Sequence, residues 1–313
     1  MSLDNPIIAV IGAGAVGGYY GARLAQGGFR VHLHMRSNAP FVRQNGMHIQ
    51  SRDGDFSLTP GQISVHERTQ TMPKADLVVV TLKTTANDQL ADLLMPVVKE
   101  DSAILTLQNG LGNEQIIADR FGKERVLGGM AFVCINRLSP GRIAHTDHGM
   151  IQLGEFGSAE VDSPRARHIA QIFAGCKIPC ATLPNLIYGR WEKLLWNIPF
   201  NGLGALLDLS TDHLLAIEDG LAMVRKLMGE VDRAAAKLGV NFPPDLIDRK
   251  IDYTRSMGAY RTSTQIDRQK NRPLEVESIW GEPLRQAVAV GVATPYLEML
   301  YHALRLINRI NQF

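Results

Sequence analysis

The stretch Ile7-Ile8-Ala9-Val10-Ile11-Gly12-Ala13-Gly14-Ala15-Val16-Gly17-Gly18-Tyr19-Tyr20 decides the fold. Five apolar residues rich in β-branching read as a buried strand, and Gly12 then opens a glycine-rich turn into a helical stretch over residues 19–25. Gly27-Gly28 stops that helix, and residues 31–35 form a second short strand, which completes a β-α-β unit of about 30 residues. In this setting Gly12, Ala13, Gly14, Ala15, Val16 and Gly17 fit the G-x-G-x-x-G dinucleotide fingerprint. Gly12 permits the tight turn, Gly14 lets backbone approach a pyrophosphate, and Gly17 allows close packing of helix on strand. The helix N-terminus then offers unpaired N–H groups to the anion.

Working outward, further apolar strands are expected at residues 77–82, 103–107 and 126–132, separated by helical stretches, which implies a parallel sheet covered on both faces. Residues 141–146 and 150–154 read as a hairpin or short edge strands, and residues 163–176 as a helix capped by Ser163. From Asn185 onward, residues 185–207, 218–238, 244–255 and 273–290 show helical spacing of apolar residues, punctuated by Gly and Pro. The expected architecture is α/β: an N-terminal Rossmann doubly wound sheet over residues 1–184, followed by a C-terminal all-helical domain over residues 185–313. A chain of 313 residues suits two such domains.

Composition narrows the function classes. Hydrophobic residues make up 45% and charged residues 20%, as in a folded globular chain. The 33 basic and 31 acidic side chains leave a formal charge of +2, with no basic stripe suited to nucleic acid. Cys134, Cys176 and Cys180 lack the spacing of a metal site or disulfide framework, so no metal is expected and the thiols read as reduced. No run reaches the roughly 18 apolar residues of a membrane span, and no basic segment leads a long apolar run at the N-terminus. A cytoplasmic protein with no membrane partner is expected. Nothing in the sequence decides between a monomer and a homodimer formed through the helical domain.

The end of the second strand indicates which dinucleotide binds. An NAD enzyme usually places Asp or Glu there to hold the ribose hydroxyls. No acidic residue occurs between Asp4 and Asp53; Arg36, followed by Ser37 and Asn38, stands at the strand end instead. Such donors suit the 2′-phosphate of NADPH, which a carboxylate would repel. Lys83 closes the third expected strand and Gln108-Asn109-Gly110 the next. Both fall at strand carboxyl ends, where open parallel sheets bind ligands.

Lys193, Asn197 and Asn201 recur every four residues and share one face of the first long C-terminal helix, in an otherwise apolar stretch. Asparagine is a poor helix former, so the aligned pair points to an interior polar site. Pro199 lies between them and should kink the helix if it is continuous there. Farther on, Ser263, Asp267 and Glu275 form a second polar set; by spacing alone Ser263 is as well read as a helix cap, and Asp267 as a capping or solvated carboxylate.

With these residues in view, the chain resembles the ketopantoate reductases (2-dehydropantoate 2-reductases) over nearly its whole length. Residues 11–24, Ile-Gly-Ala-Gly-Ala-Val-Gly-Gly-Tyr-Tyr-Gly-Ala-Arg-Leu, resemble the family's N-terminus, and Leu82-Lys83 and Gln108-Asn109-Gly110 its cofactor motifs. Trp191-Glu192-Lys193-Leu194 with Asn197 and Asn201 resembles the stretch that holds the family's catalytic lysine and two substrate asparagines. Ser263, Asp267 and Glu275 recur at the family's spacing. The resemblance implies hydride transfer from NADPH to a small 2-keto acid, ketopantoate, giving pantoate for coenzyme A biosynthesis. It implies Lys193 as general acid, Glu275 as the catalytic carboxylate that holds the lysine or the substrate hydroxyl, Asn197 and Asn201 as groups that orient lysine and substrate, and Ser263 as carboxylate binder. Asn109 falls where cofactor and substrate meet.

Two departures bear on the substrate. Tyr260 stands where the family commonly has asparagine, and its usual Glu-x-Asp-x-x-Asn-Gly reads Glu275-Val276-Glu277-Ser278-Ile279-Trp280-Gly281. Both aromatic residues are expected to reshape the pocket, so another 2-keto acid stays open as the substrate. A related β-hydroxyacid-type dehydrogenase is a second reading, which the spacing from Ser263 to Glu275 disfavours. A non-catalytic NADPH-binding regulator would need only residues 12–17 and Arg36, and would leave Lys193, Asn197 and Glu275 unexplained.

Overall fold

The computed structural model describes residues 5–157 and 163–310. It divides into two compact units. The first comprises residues up to Gln108 together with Asn113–Leu186, and the second comprises Asn109–Gly112 together with Ile187–Phe313. Four residues that the sequence places in the middle of the nucleotide domain therefore group with the helical unit.

Among the described residues the first unit carries ten strands: β1 (Ile7–Ile11), β2 (Arg30–His34), β3 (Met47–Ser51), β4 (Phe56–Leu58), β5 (Ser64–His66), β6 (Ala75–Val80), β7 (Val98–Thr106), β8 (Val126–Ser139), β9 (Arg142–Glu155) and β10 (Cys180–Thr182). Its helices are α1 (Ala15–Gln26), α2 (Ala39–Asn45), α3 (Leu90–Leu94), α4 (Asn113–Phe121) and α5 (Pro164–Gly175). The order β5-β2-β1-β6-β7-β8 is parallel throughout and is the Rossmann order third-second-first-fourth-fifth-sixth. Alternation along the central strands explains their uninterrupted apolar runs. Ile8, Val10, Leu77, Val79, Ala103 and Leu105 enter one core, while Ala9, Ile11, Val78, Val80 and Ile104 enter another on the opposite face.

Residues 141–146 and 150–154, expected as a hairpin or short edge strands, are instead one continuous strand, β9, which pairs antiparallel with β8 along its length. β9 then pairs in parallel with β3 and β10, and β4 closes that edge. β3, β4 and β5, five, three and three residues long, escaped the sequence reading because their length is too short to show a period.

The second unit contains α6 (Leu186–Leu207), α7 (Thr211–Ala216), α8 (Glu218–Lys237), α9 (Leu246–Ser256), α10 (Ser263–Gln269), α11 (Glu282–Ala289) and α12 (Pro295–Ile310). Trp191, Leu194, Leu195, Ile198, Phe200 and Leu203 of α6 pack with Val224, Leu227 and Met228 of α8 and with Leu297, Leu300 and Leu304 of α12 in one core. Glu230 of α8 is buried, and its carboxylate accepts the backbone N–H groups of Tyr296 and Leu297 at 3.0 and 2.8 Å. This places a negative charge at the start of α12, where the helix dipole favours it.

The single helix expected over residues 273–290 is divided. Glu277–Gly281 is a π-helical turn that runs into α11. Pro283 lacks the N–H that would bond the carbonyl of Ile279, which fits a widened turn at this point.

Candidate functional site

In the first unit the fingerprint residues occupy the turn between β1 and α1. Gly12 has φ +90°, a conformation side chains rarely adopt, and a Cβ at Gly17 would lie 2.2 Å from Thr81 Oγ1. Thr81 Oγ1 itself donates to the Gly12 carbonyl at 3.0 Å, which ties this turn to the end of β6. At Gly14, by contrast, the nearest atom to an added Cβ is 3.9 Å away, so the backbone there lies open. No acidic residue stands in the first turn of α1. An unobstructed glycine turn and an acid-free helix N-terminus fit a pyrophosphate.

Arg36 lies in the turn after β2 and is exposed. Its positive charge, after burial, is the second influence that lowers the pKa of buried His34. Lys83 follows β6, half-buried, and its carbonyl accepts the Ala86 N–H at 3.0 Å. Ala13 and Val16 flank the turn on its packed side, with Ala15 opening α1.

The second unit gathers the polar set. Lys193 Nζ donates to Asn109 Oδ1 at 3.0 Å, across 84 residues of sequence. Asn109 is held there by its neighbours. Leu111 N–H donates to the Ser278 carbonyl at 2.9 Å. Gly110 has φ +83°, and a Cβ on it would fall 2.2 Å from that same carbonyl. Only glycine fits this approach, and the π-helical turn leaves the Ser278 carbonyl available to Leu111.

Asn197 and Asn201 are buried on α6, which runs unbroken past Pro199. Arg190, buried three residues before Lys193, extends the polar face and was missed by the sequence reading. A lysine paired with two asparagines at four-residue intervals drew attention away from its i−3 neighbour. Burial, followed by the charge of Arg190, pushes the Lys193 ammonium down to about 7, and the Glu275 carboxylate opposes both. Lys193 can therefore hold or release a proton near neutrality. Glu275 is half-buried just before the π-helical turn.

Ser263 and Asp267 stand on α10. Thr262, not Ser263, is the N-cap: its Oγ1 accepts the Gln265 N–H at 3.3 Å. Ser263 is exposed at the first helical position, and Asp267 pairs with Arg272. Trp280 belongs to the core of the second unit. It is fully buried, its indole N–H donates to the Ile198 carbonyl at 3.0 Å, and it packs on Gly202. Gly202 is nine residues after Lys193, which at about 100° per residue places it on the opposite face of α6.

Burial raises the thiols of Cys176 and Cys180 to about 11 and about 12, so both stay protonated at neutral pH. Among the described residues no cluster of three or more His, Cys, Asp or Glu side chains could hold a metal. Nor is any described helix long and apolar enough to cross a membrane.

Comparison with known proteins accounts for both units. Residues 8–158 match the family "Ketopantoate reductase PanE/ApbA", and residues 185–308 match its C-terminal counterpart. A 2-dehydropantoate 2-reductase of Nostoc sp. is 43% identical over 97% of this chain and 96% of its own length. The crystal structure of 2-dehydropantoate 2-reductase from Geobacter metallireducens superposes with a TM-score of 0.92 at 41% identity, covering 96% of this chain and 99% of that one. The corresponding structure from Methylococcus capsulatus gives a TM-score of 0.89 at 31% identity, covering 98% of each chain. With both of its units matched and its fold shared at this level of identity, the chain belongs to the ketopantoate reductase family.

Proposed function

We propose that this protein reduces 2-dehydropantoate to pantoate with NADPH, a step toward pantothenate and coenzyme A. The observation that carries the reading is the 3.0 Å hydrogen bond from Lys193 Nζ to Asn109 Oδ1, on a helix face whose buried members include Arg190, Asn197 and Asn201. When bound, NADPH supplies the hydride. The glycine turn of residues 12–17 receives its pyrophosphate, Arg36 pairs with the 2′-phosphate, and Lys83 and Asn109 contact the nicotinamide half.

Lys193 acts as general acid. As negative charge develops on the ketone oxygen, its ammonium stabilises that charge and delivers a proton to the oxygen. A pKa brought close to 7 lets the ammonium part with its proton more readily than a free lysine would. Asn109 orients Nζ, Glu275 favours the charged lysine, Asn197 and Asn201 orient the substrate, and Ser263 binds its carboxylate.

A panel of 2-keto acids with NADPH, followed at the cofactor absorbance, tests the reading. Turnover of 2-dehydropantoate is expected, with Lys193→Ala lowering kcat by about 10²–10⁴ while NADPH affinity stays within a few fold. A folded Lys193→Ala variant with wild-type kcat would overturn the assignment.

The exposed face of α12 favours a homodimer. Tyr296, Met299, Leu306 and Ile310 recur at three-, seven- and four-residue steps along it and all face outward, Met299 being 72% exposed. The reduced thiols and the NADPH requirement fit a cytoplasmic enzyme.

A further inference from the structure

We infer that Trp196 and Tyr260 are specificity residues that select a 2-keto acid fully substituted at C3. The inference rests on the reading of Lys193 as the group that meets the ketone. Along α6, Trp196, Phe200, Lys193, Asn197 and Asn201 fall in that angular order within an arc of about 140°, at about 100° per residue. Polar groups hold one side of Lys193 and aromatic rings the other. Phe200 is fully buried and serves as a base for the aromatic side. Trp196 stacks on it with ring centroids 5.0 Å apart and planes 30° apart. Tyr260 meets Trp196 at 6.3 Å and 53°, so the two half-buried rings form the sides of a V.

The ring of Trp196 and the backbone of Tyr260 are both fixed. The indole N–H of Trp196 donates to Thr254 Oγ1 at 2.8 Å, and Thr254 Oγ1 donates in turn to the Lys250 carbonyl at 2.6 Å. The polar atom of the indole is thus engaged on α9, leaving the carbon atoms of the ring for apolar contact. Tyr260 is anchored by its backbone: its carbonyl accepts the Thr211 N–H at 3.0 Å, and its N–H donates to the Gly258 carbonyl at 2.8 Å. A rigid aromatic V suits a compact branched alkyl group, such as the quaternary C3 of 2-dehydropantoate, better than a flexible straight chain.

The test compares kcat/KM with NADPH for 2-dehydropantoate, 3,3-dimethyl-2-oxobutanoate and unbranched 2-oxobutanoate. The enzymes are wild type, Tyr260→Asn, Tyr260→Phe and Trp196→Leu. One methylene in an apolar pocket discriminates by about 10–200-fold. The wild type should therefore favour the dimethyl acid over 2-oxobutanoate by at least about tenfold. Tyr260→Asn and Trp196→Leu should each reduce that ratio about tenfold or more, and Tyr260→Phe should preserve it. A merely structural role would lower kcat/KM for both acids in proportion. If the wild type shows no preference, or if folded Tyr260→Asn keeps the wild-type ratio, the inference is wrong and the proposed reaction stands. If the wild type reduces none of the three acids, the proposed reaction fails and the inference falls with it.

Discussion

The depressed pKa of Lys193 makes the pH profile the sharpest available test of its role. A general acid must be protonated, so activity should be full well below about 7 and decline as pH rises through that value. With a pKa of about 7, the protonated fraction drops from about one half at pH 7 to about one hundredth at pH 9, and kcat/KM should fall about fiftyfold. Two substitutions should then move the inflection in opposite directions. Arg190→Met removes the charge that lowers the pKa and should carry the inflection upward, whereas Glu275→Gln removes the charge that raises it and should carry it downward. A unit charge at about 6–8 Å, in an effective dielectric of about 20, contributes about 2–3 kcal/mol, equivalent to about 1.5–2 pH units. A shift of at least about one unit is therefore expected for each. The assay is NADPH oxidation from pH 5.5 to 9.5 at saturating cofactor, with deuterated NADPH used to verify that hydride transfer limits the rate. A profile that stays flat through pH 9, or two variants that shift the same way, would refute the electrostatic argument.

Other consequences can be checked independently. Arg36→Ala should weaken NADPH about ten- to hundredfold and leave NADH nearly unchanged, as read by cofactor titration; equal losses would mark Arg36 as structural. Gly110→Ala should lower kcat/KM about tenfold or more with little change in NADPH affinity, because Asn109 must shift when a Cβ meets the Ser278 carbonyl. Glu230→Ala should cost about 2–3 kcal/mol in denaturant unfolding by leaving the first N–H groups of α12 without their carboxylate. Met299→Glu should convert a dimer into a monomer in light scattering if the outer face of α12 is buried between copies.

How much of this was legible before any coordinates depended on range. The glycine turn, the parallel strands and α6 could be read because their signals are local: a φ requirement at Gly12, apolar runs, and the four-residue recurrence of Lys193, Asn197 and Asn201. The resemblance added roles for Ser263 and Glu275, where spacing alone left Ser263 as well read as a helix cap. β8 was foreshortened because it runs on beyond its apolar stretch into Asn136-Arg137-Leu138-Ser139, which carries no apolar run. Trp280 looked like a pocket residue because its sequence neighbours match a site motif, yet the contacts of its ring are with Ile198 and Gly202, about 80 residues away. Arg190 was overlooked since a single arginine near a helix start usually signals a solvated face, and only burial distinguishes it. Likewise, nothing local in Asn109-Gly110-Leu111 reveals that its backbone is received by the carbonyl of Ser278.

That reception has a consequence for dissecting the protein. The helical unit is not a contiguous piece of chain: Asn109–Gly112, although encoded between β7 and α4, supplies the acceptor for Lys193 and the donor for Ser278. A fragment cut at the apparent boundary and expressed from Ile187 onward would lack both the acceptor that Asn109 offers Lys193 and the N–H that Leu111 offers the Ser278 carbonyl. Such a fragment is therefore a candidate for complementation, since a short synthetic peptide spanning Gln108 to Asn113 carries the missing groups. Chimeras between relatives should exchange this tetrapeptide together with the C-terminal half rather than with the sheet that surrounds it in sequence.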